Sequence, residues 1–297
     1  MSIDAQANLR SIRDVLRYAV TRMNESGLHF GHGQVDAVDE ALLLVLRSLQ
    51  LPLDRADLFL DSFLTHAEIH SLLQAIDQRV RKRTPAAYIL REAWLQGYRF
   101  YVDERVIIPR SFLAELLKDG LAPWVNKPDG VADVLDMCTG CGCLAIIAAE
   151  VFEQAQVDAV DISPDALAVA GRNIADYRLG SRVAVAQSDL FDALPSKRYD
   201  VILCNPPYVT DESMAALPRE YLHEPKLALA GGADGMAIVR RLVRGARGHL
   251  KRGGLLLVEV GGGRAAAEQA LPGVPLTWLT TSDGDDSVFM ARQEDLP

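Results

Sequence analysis

An amide, two prolines and an aromatic ring stand together in Asn205-Pro206-Pro207-Tyr208, directly after the apolar run 201–204. The first proline has a fixed φ and disfavours the helical region at the residue before it, so the chain should leave a strand in an extended form. An amide and carbonyls placed there could hold a planar nitrogen nucleophile, because α/β proteins bind ligands at the carboxyl ends of their strands. The same residues also suit an ordinary turn, so the assignment depends on the rest of the chain.

A glycine-rich loop is the second candidate for chemistry. Residues 131–136 are typical of a buried strand, and Met137-Cys138-Thr139-Gly140-Cys141-Gly142-Cys143 forms a tight loop before a helix from Leu144. Two glycines let the backbone approach a ligand closely, and Asp136 can accept hydrogen bonds from a polar or cationic group. The loop also fits G-x-G-x-x-A, with Asp161 about twenty residues on, so a dinucleotide is an alternative ligand. Both interpretations place Asp161 at a ribose.

The four cysteines suggest a metal only weakly. They would lie near the carboxyl ends of neighbouring strands, but three belong to one glycine loop instead of the separated pairs that zinc sites use. We therefore interpret them as small apolar fillers and expect no metal. His66 and His70 are four residues apart with no evident third ligand, which favours an exposed helix face. The cysteines are Cys138, Cys141, Cys143 and Cys204.

Composition narrows the class of protein. The 297 residues, 49% of them hydrophobic, suffice for one large core and a small additional domain. No apolar run approaches the roughly 20 residues that a membrane span needs, so we expect no membrane association. Residues 1–5 lack the features of a signal peptide, so we expect a cytoplasmic location. The net charge of −9 argues against sequence-specific DNA binding and allows attraction to a basic protein partner.

The chain is expected to form three regions. Residues 1–92 are helical in pattern, with Leu9, Ile12, Leu16 and Val20 on one apolar stripe, and we expect a substrate-docking domain. Residues 93–108 change to a strand-like pattern, in which 98–102 and 105–108 are predicted to pair as a β-hairpin linker. Residues 109–297 form the predicted catalytic domain.

Strands alternate with helices in that last region, which predicts an α/β fold with a mostly parallel sheet. The final two strands are separated by too few residues for a crossover helix, so they should form an antiparallel hairpin at the end of the sheet. The predicted strands are 131–136, 156–161, 183–187, 199–204, 254–260, 276–280 and 287–292.

Over nearly its full length the chain resembles a class I S-adenosylmethionine-dependent methyltransferase of the protein-(glutamine-N5) family. Five motifs resemble the branch that modifies the third protein of the large ribosomal subunit, whereas the release-factor branch usually has Pro-Arg-Pro-Asp-Thr-Glu. Cys141 and Phe112 depart from the serine and proline expected there. The motifs are Phe30-Gly31-His32-Gly33, Phe100-Tyr101-Val102-Asp103-Glu104-Arg105-Val106, Pro109-Arg110-Ser111, Asp136-Met137-Cys138-Thr139-Gly140 and His223-Glu224-Pro225.

This resemblance implies a Rossmann-like, seven-stranded sheet with an antiparallel last strand, plus a small N-terminal helical domain. It implies S-adenosylmethionine as cofactor, S-adenosylhomocysteine as product and no metal. Asp136 and the glycines would line the methionine end, Asp161 would hold the ribose, and Asp189 with Leu190 would border the adenine. The implied cofactor residues are Asp136, Cys138, Thr139, Gly140, Gly142, Asp161, Ile162, Asp189, Leu190 and Asn205.

The resemblance also implies transfer of a methyl group to a glutamine side-chain amide. Asn205, Pro206 and Tyr208 would be catalytic, and these three with Pro207 would bind the substrate. The implied partner is the third large-subunit protein, which is basic, or the assembling large subunit. Residues 210–229 and the helical domain are the expected docking surface. Four acids there, Asp211, Glu212, Glu220 and Glu224, could attract a basic protein or form a solvated loop.

Other functions remain compatible with the residues. The same asparagine-proline-proline-aromatic motif serves release-factor methyltransferases and adenine-N6 nucleic-acid methyltransferases, although the acidic composition counts against nucleic acid. A nicotinamide dehydrogenase could use the glycine loop and Asp161 but would give Asn205 and Tyr208 no role. A non-catalytic ribosome-assembly binder is a further alternative.

Overall fold

The computed structural model describes residues 8–194 and 196–297. Contacts along the chain divide it into two compact units. The first unit consists of Met1–Glu92 and Pro218–His223, and the second of Ala93–Leu217 and Glu224–Pro297. The short segment Pro218–His223 therefore belongs to a different unit from the residues on either side of it, which differs from the continuous range 109–297 expected for one domain.

The first unit is helical and has its own apolar core. Its longer helices begin at residues whose side chains accept backbone hydrogen bonds: Ser11 and Thr65 form capping boxes, and Asp36 caps through Val38 and Asp39. The apolar residues that recur at helical spacing along these helices pack together as the core of the unit. The helices are α1 Ile12–Glu25, α2 Ala37–Ser48, α3 His66–Lys82 and α4 Ala86–Leu90, with 3-10 turns at Leu53–Leu58 and Arg219–His223.

A buried ion-pair cluster lies in the first unit. Arg79, only 1% exposed, pairs with Glu40 and donates through Nη1 to Glu220 Oε1 at 3.3 Å. The same oxygen accepts from Arg83 Nη1 at 3.3 Å and from the His29 N–H at 3.2 Å. The expectation that Glu220 lies on an exposed acidic loop is therefore wrong, since its carboxylate is buried against two arginines.

The second unit is built on a seven-stranded sheet. The sheet strands are β3 Asp133–Met137, β4 Gln156–Asp161, β5 Val183–Gln187, β6 Tyr199–Cys204, β9 Leu250–Glu259, β10 Thr277–Thr281 and β11 Gly284–Arg292. Their order in the sheet is β10-β11-β9-β6-β3-β4-β5. The strands from β9 to β5 in this order are parallel, and β11 runs antiparallel to both β9 and β10. The remaining strands are β1 Ala93–Leu95, β2 Tyr98–Phe100, β7 Val209–Thr210 and β8 Ala230–Gly232.

Helices accompany these strands and carry the chain between them. Strand β6 ends in the apolar run 201–204 because both faces of a parallel sheet are covered, and helix α6 (Cys143–Val151) is apolar on nearly all sides for the same reason. The helices are α5 Leu113–Lys118, α6 Cys143–Val151, α7 Pro164–Asp176, α8 Asp211–Ala215, α9 Ala237–His249 and α10 Arg264–Ala270, with 3-10 turns at Pro128–Gly130, Lys226–Ala228 and Gln293–Asp295. The predicted class I methyltransferase sheet with an antiparallel last strand is confirmed.

The hairpin at the start of the second unit differs from the prediction. Strand β1 pairs with β2 across a two-residue turn in which Gln96 and Gly97 both have positive φ, at 51° and 87°. The expected pairing of 98–102 with 105–108 is wrong. The physical reason lies at Tyr101, whose N–H and C=O are bonded by the side chain of Asn173 and not by a second strand.

Two further observations concern membranes and metals. Across residues 8–194 and 196–297, we find no helix with the length and apolar character needed to cross a bilayer. Within the same ranges, His, Cys, Asp and Glu side chains form no group of three or more suited to a metal ion. The cysteines are free thiols, and Cys141, Cys143 and Cys204 are buried among apolar residues.

Candidate active site

A pocket opens at the carboxyl ends of strands β3, β4 and β6, where their following loops meet. Six of the predicted site residues line it: Cys138, Gly140, Asp161, Ile162, Asn205 and Pro207. The glycine loop and the loop after β6 therefore share one pocket. The other lining residues are Arg105, Val106, Ile107, Ser163, Ala166, Pro225, Leu227 and Ala228.

The glycine loop turns sharply between β3 and α6. Gly140 has φ +55°, and a Cβ built on it would meet nothing within 4 Å, so open space lies above the loop. Gly142 has φ +83°, and its Cβ would come within 3.2 Å of the Ala170 Cβ, so this glycine allows α6 to pack closely on α7. Gly140 thus leaves room for a ligand, and Gly142 allows the loop to pack against α7.

Asp136 lies beneath this loop and is fully buried. Its Oδ2 accepts from Thr139 Oγ1 at 2.5 Å and from the Ala145 N–H at 3.0 Å, which fixes the loop to the first turn of α6. Its Oδ1 has no hydrogen-bond partner among the described residues. Burial raises the pKa of this carboxyl to about 7. Asp136 therefore keeps one acceptor atom unsatisfied at the base of the loop.

Asp161 ends strand β4 and faces the pocket. One carboxylate oxygen accepts from the Gly140 N–H and the other from the Ser163 N–H, both at 2.9 Å. These bonds set the orientation of the carboxylate and leave acceptor capacity on both oxygens, since each oxygen can accept two hydrogen bonds. Burial raises the pKa of Asp161 above its ordinary value.

The loop after β6 is held by close glycine contacts. A Cβ on Gly231 would approach the Tyr208 Cα to 2.7 Å, and one on Gly235 would approach the Tyr208 carbonyl oxygen to 2.3 Å. A Cβ on Gly261 would lie 2.4 Å from the Tyr208 ring. The short parallel pairing of β7 with β8 adds backbone bonds directly after the motif. The backbone and ring of Tyr208 are thus fixed by neighbours that only glycine allows so close.

Comparison with known proteins identifies the family. A profile of the family described as "Methyltransferase small domain" matches residues 120–232. A ribosomal protein uL3 glutamine methyltransferase of Bordetella pertussis is 52% identical over 100% of this chain and 99% of its own length. Proteins with the same name from Burkholderia pseudomallei and Neisseria gonorrhoeae are 54% and 51% identical, over 97% and 98% of this chain and 96% and 97% of their own lengths.

This chain belongs to the family of ribosomal protein uL3 glutamine methyltransferases. Among solved structures, the hMettl16 catalytic domain is similar with a TM-score of 0.50 and 14% identity, over 95% of this chain and 90% of that one, which supports the fold alone. The chain is a methyltransferase, and its cofactor is S-adenosylmethionine.

The pocket fits this cofactor on its own geometry. The Asp161 carboxylate lines the pocket and is an acceptor that suits the ribose hydroxyls of the cofactor, whereas the unsatisfied Asp136 Oδ1 is buried behind the glycine loop. The open space above Gly140 admits a ligand against the backbone. The Asp161 carboxylate disfavours a phosphate beside it.

Several predicted residues lie outside the pocket lining. Asp136, Thr139 and Gly142 support the glycine loop from behind, and Pro206 and Tyr208 lie within the second loop. Asp189 pairs with Arg241 at 3.0 Å, and Leu190 is buried in the core of the second unit.

Sequence reasoning missed two buried acids near the site. Glu224 pairs with Arg110 Nη1 at 2.6 Å and accepts from the Ile108 N–H at 2.9 Å, so it does not belong to an exposed acidic surface as expected. Glu259 ends strand β9 and accepts from Ser111 Oγ at 2.6 Å and the Phe112 N–H at 2.9 Å. These four bonds join segments more than a hundred residues apart, and the only sequence signal near them was the motif at 109–111.

Proposed function

We propose that this chain transfers a methyl group from S-adenosylmethionine to the side-chain amide nitrogen, N5, of a glutamine in ribosomal protein uL3. The observation that carries the proposal is the placement of Asn205 in the same pocket as Gly140 and Asp161. The high identity to named uL3 glutamine methyltransferases supports the choice of substrate.

Positioning is the main task of the protein in this reaction. The amide nitrogen of glutamine is a weak nucleophile because its lone pair is delocalised into the carbonyl group. When bound, S-adenosylmethionine supplies an electrophilic methyl group. The Asn205 side-chain oxygen and the Pro206 carbonyl would accept hydrogen bonds from the two amide N–H groups, which orients the nitrogen and stabilises the positive charge that develops on it. As the new N–C bond replaces the S–C bond, S-adenosylhomocysteine is the leaving group and one amide proton is released to solvent.

The rest of the loop shapes the place for the amide. Pro207 lines the pocket, and the prolines have no N–H that could compete for the acceptor oxygens. Tyr208 stacks on the planar amide and excludes water, and the contact with Gly261 sets the position of its ring. Three residues therefore act on one substrate group, and a fourth fills the space beside it.

The cofactor occupies the glycine-loop side of the pocket. Asp161 would accept from the ribose hydroxyls, and Cys138 and Gly140 would form the wall at the methionine end, with Asp136, Thr139 and Gly142 supporting them from behind. Ile162, which is partly exposed and lines the pocket, packs beside the adenosine. The backbone at Asp189 and Leu190 borders the adenine.

The substrate protein docks on the first unit, residues 1–92, and on residues 210–229 of the loop after the motif. Asp211 and Glu212 are exposed in the first turn of α8 and attract a basic partner. The partner is uL3, free or within an assembling large subunit in the cytoplasm, and not DNA.

Intact-mass analysis tests this function. Unmethylated uL3, a peptide chain release factor and an adenine-containing DNA are each incubated with the enzyme and S-adenosylmethionine. We expect one added methyl group on uL3 alone, and fragmentation that places it on a glutamine side chain. Methylation of the release factor or the DNA in place of uL3 would reject the proposal, and absence of transfer to both free uL3 and assembling large subunits would favour a binding role.

A further inference from the structure

Arg105 lines the pocket and had no predicted chemical role. Among the described residues that line the pocket it is the one cationic side chain, and Asp161 is the one anionic side chain. Arg105 shares the lining with Gly140 and Asn205. A guanidinium with donors left over from its own contacts can bind an anionic group of a ligand at this place.

The guanidinium of Arg105 is held by Asp103 in a two-point ion pair. Nε donates to Asp103 Oδ1 at 2.8 Å, and Nη2 donates to Oδ2 at 2.7 Å. The Arg105 N–H also donates to Oδ1, at 3.1 Å. Nη1 takes no part in these bonds and carries two further donors. Because the guanidinium group is planar and is held through Nε and Nη2, its Nη1 donors point in a defined direction.

Asp103 is itself held from behind. Its carboxylate is nearly buried and accepts from the Tyr101 hydroxyl at 2.8 Å. The bonds from Arg105, followed by those from Tyr101, lower the pKa of Asp103 to about 2 although burial acts to raise it. Asp103 thus stays ionised throughout the neutral range, and the ion pair with Arg105 persists.

This arrangement is tied to the glycine loop. The buried Asn173 of α7 bonds both the N–H and the C=O of Tyr101, and its Nδ2 also donates to the Cys141 carbonyl at 2.8 Å. The Arg172 guanidinium stacks on the Tyr101 ring at 3.5 Å. One amide side chain therefore sets the position of the segment that carries Arg105 relative to the glycine loop. Such support from a second layer of residues is typical of a binding group.

We propose that Arg105 binds the α-carboxylate at the methionyl end of S-adenosylmethionine, with Asp103 as a positioning residue. The inference rests on the proposed function in one respect, the placement of the methionyl end beside the glycine loop. The carboxylate is the anionic group of this cofactor, and Arg105 is the one cationic side chain among the described residues that line the pocket. A substrate anion is a poorer match because the proposed partner is a basic protein.

Binding measurements test the inference without relying on turnover. Titration calorimetry gives the Kd of the full-length protein for S-adenosylhomocysteine and for 5′-methylthioadenosine, which keeps the adenosine and the thioether but lacks the amino-acid group. We expect Arg105→Gln to weaken S-adenosylhomocysteine binding by about tenfold to a hundredfold, as for a lost charged hydrogen bond. The Kd for 5′-methylthioadenosine should change less than about twofold, in keeping with the absence of any bond to lose.

Two further variants distinguish the loss of the Arg105 contact with the ligand from a general effect of removing an ion-paired arginine. Arg13→Gln is the matched control, because Arg13 makes a similar two-point pair with Asp61 but lies in the first unit and outside the pocket lining. Both Kd values should stay unchanged in it. Asp103→Asn should weaken S-adenosylhomocysteine binding selectively, in the same direction as Arg105→Gln.

The outcomes distinguish the two proposals. Equal weakening of both ligands in Arg105→Gln, or unchanged binding of S-adenosylhomocysteine, overturns the role of Arg105. Failure of the wild-type protein to bind either ligand contradicts the proposed function itself.

Discussion

Asn205 and Asp136 are polar side chains with different tasks, one in the pocket lining and the other in the support of the glycine loop. Asn205 is half-buried and lines the pocket, where we propose that its amide meets the substrate. Asp136 is fully buried, and half of its carboxylate is committed to the loop and to helix α6. The first residue should therefore affect turnover, and the second both cofactor binding and folding.

Replacing Asn205 by alanine tests the first task. We expect Asn205→Ala to lower kcat by about 10²–10³, or roughly 2.7–4 kcal/mol, as for other preorganised hydrogen-bonding groups that act mainly in the transition state. The Kd for S-adenosylhomocysteine should stay close to the wild-type value. Single-turnover rates and calorimetry measure the two effects, and an equal loss in cofactor affinity would show that Asn205 only binds the cofactor.

The residue types were largely predictable at this scale, but their partners were not. Asn205, Gly140 and Asp161 each follow an apolar strand, and the carboxyl ends of parallel strands meet at one edge. The pairs of Arg105 with Asp103 and of Glu224 with Arg110 depend on the path of the chain after Phe100. No local sequence pattern predicts that path, because the side chain of Asn173, in helix α7, holds the backbone of Tyr101.

At the scale of elements, the end of strand β9 has two tasks. Glu259, its last residue, holds the start of α5 through Ser111 and Phe112. Gly261, two residues later, lies against the Tyr208 ring. The strand was predictable from its apolar run, whereas both tasks depend on loops that arrive from elsewhere in the chain.

Gly261→Ala tests the support of Tyr208. The new Cβ would lie 2.4 Å from the ring, so the ring must move, and we expect kcat to fall by about tenfold, a loss of roughly 1.4 kcal/mol in transition-state stabilisation. Gly262→Ala is the matched control, because Gly262 also has positive φ, at 69°, but its Cβ would meet nothing within 4 Å. Both variants carry similar backbone strain, on the order of 1 kcal/mol. Equal kcat in the two variants would show that the contact between Gly261 and the Tyr208 ring does not affect turnover.

Glu259 predicts a pH dependence of stability. Burial raises its pKa to about 7, well above the ordinary value of a glutamate. The folded protein therefore binds the proton more tightly than the unfolded chain, and the resulting stability is full below about pH 4 and is lost as pH rises through about 7. Its magnitude is at most about 3 kcal/mol.

Glu259→Gln keeps the acceptor for Ser111 and cannot ionise. We expect the free energy of unfolding to decline less between pH 5 and pH 8 in this variant than in the wild type, as measured by urea denaturation at each pH. Part of the decline should remain, because burial also raises the pKa of Asp136. Identical pH profiles would mean that Glu259 is ionised without cost in the folded protein.

At the scale of the whole molecule, the net charge affects how fast the protein associates with a charged partner. The net charge of −9 gives a long-range attraction to a basic protein. We expect kcat/KM for uL3 to fall by about tenfold as salt rises from low to physiological ionic strength, because screening shortens the reach of this attraction.

Steady-state assays across a salt series check this prediction. The affinity for S-adenosylhomocysteine serves as the control and should change little. Replacing the exposed Asp211 and Glu212 by their amides should reduce the salt dependence. A kcat/KM that does not vary with salt would exclude electrostatic steering by these acids.

The division into two units has a consequence for fragmenting the protein. The first unit contains Pro218–His223, and Glu220 within that segment is bonded to Arg79 and Arg83. A protease nick after Glu92 would leave these bonds in place, so the two pieces should co-elute until a denaturant is added. A gene that began at Ala93 would instead encode a chain whose Glu220 has lost both arginines. The helical part is a discontinuous domain, and cloning the catalytic part alone would require a redesigned bridge across 218–223.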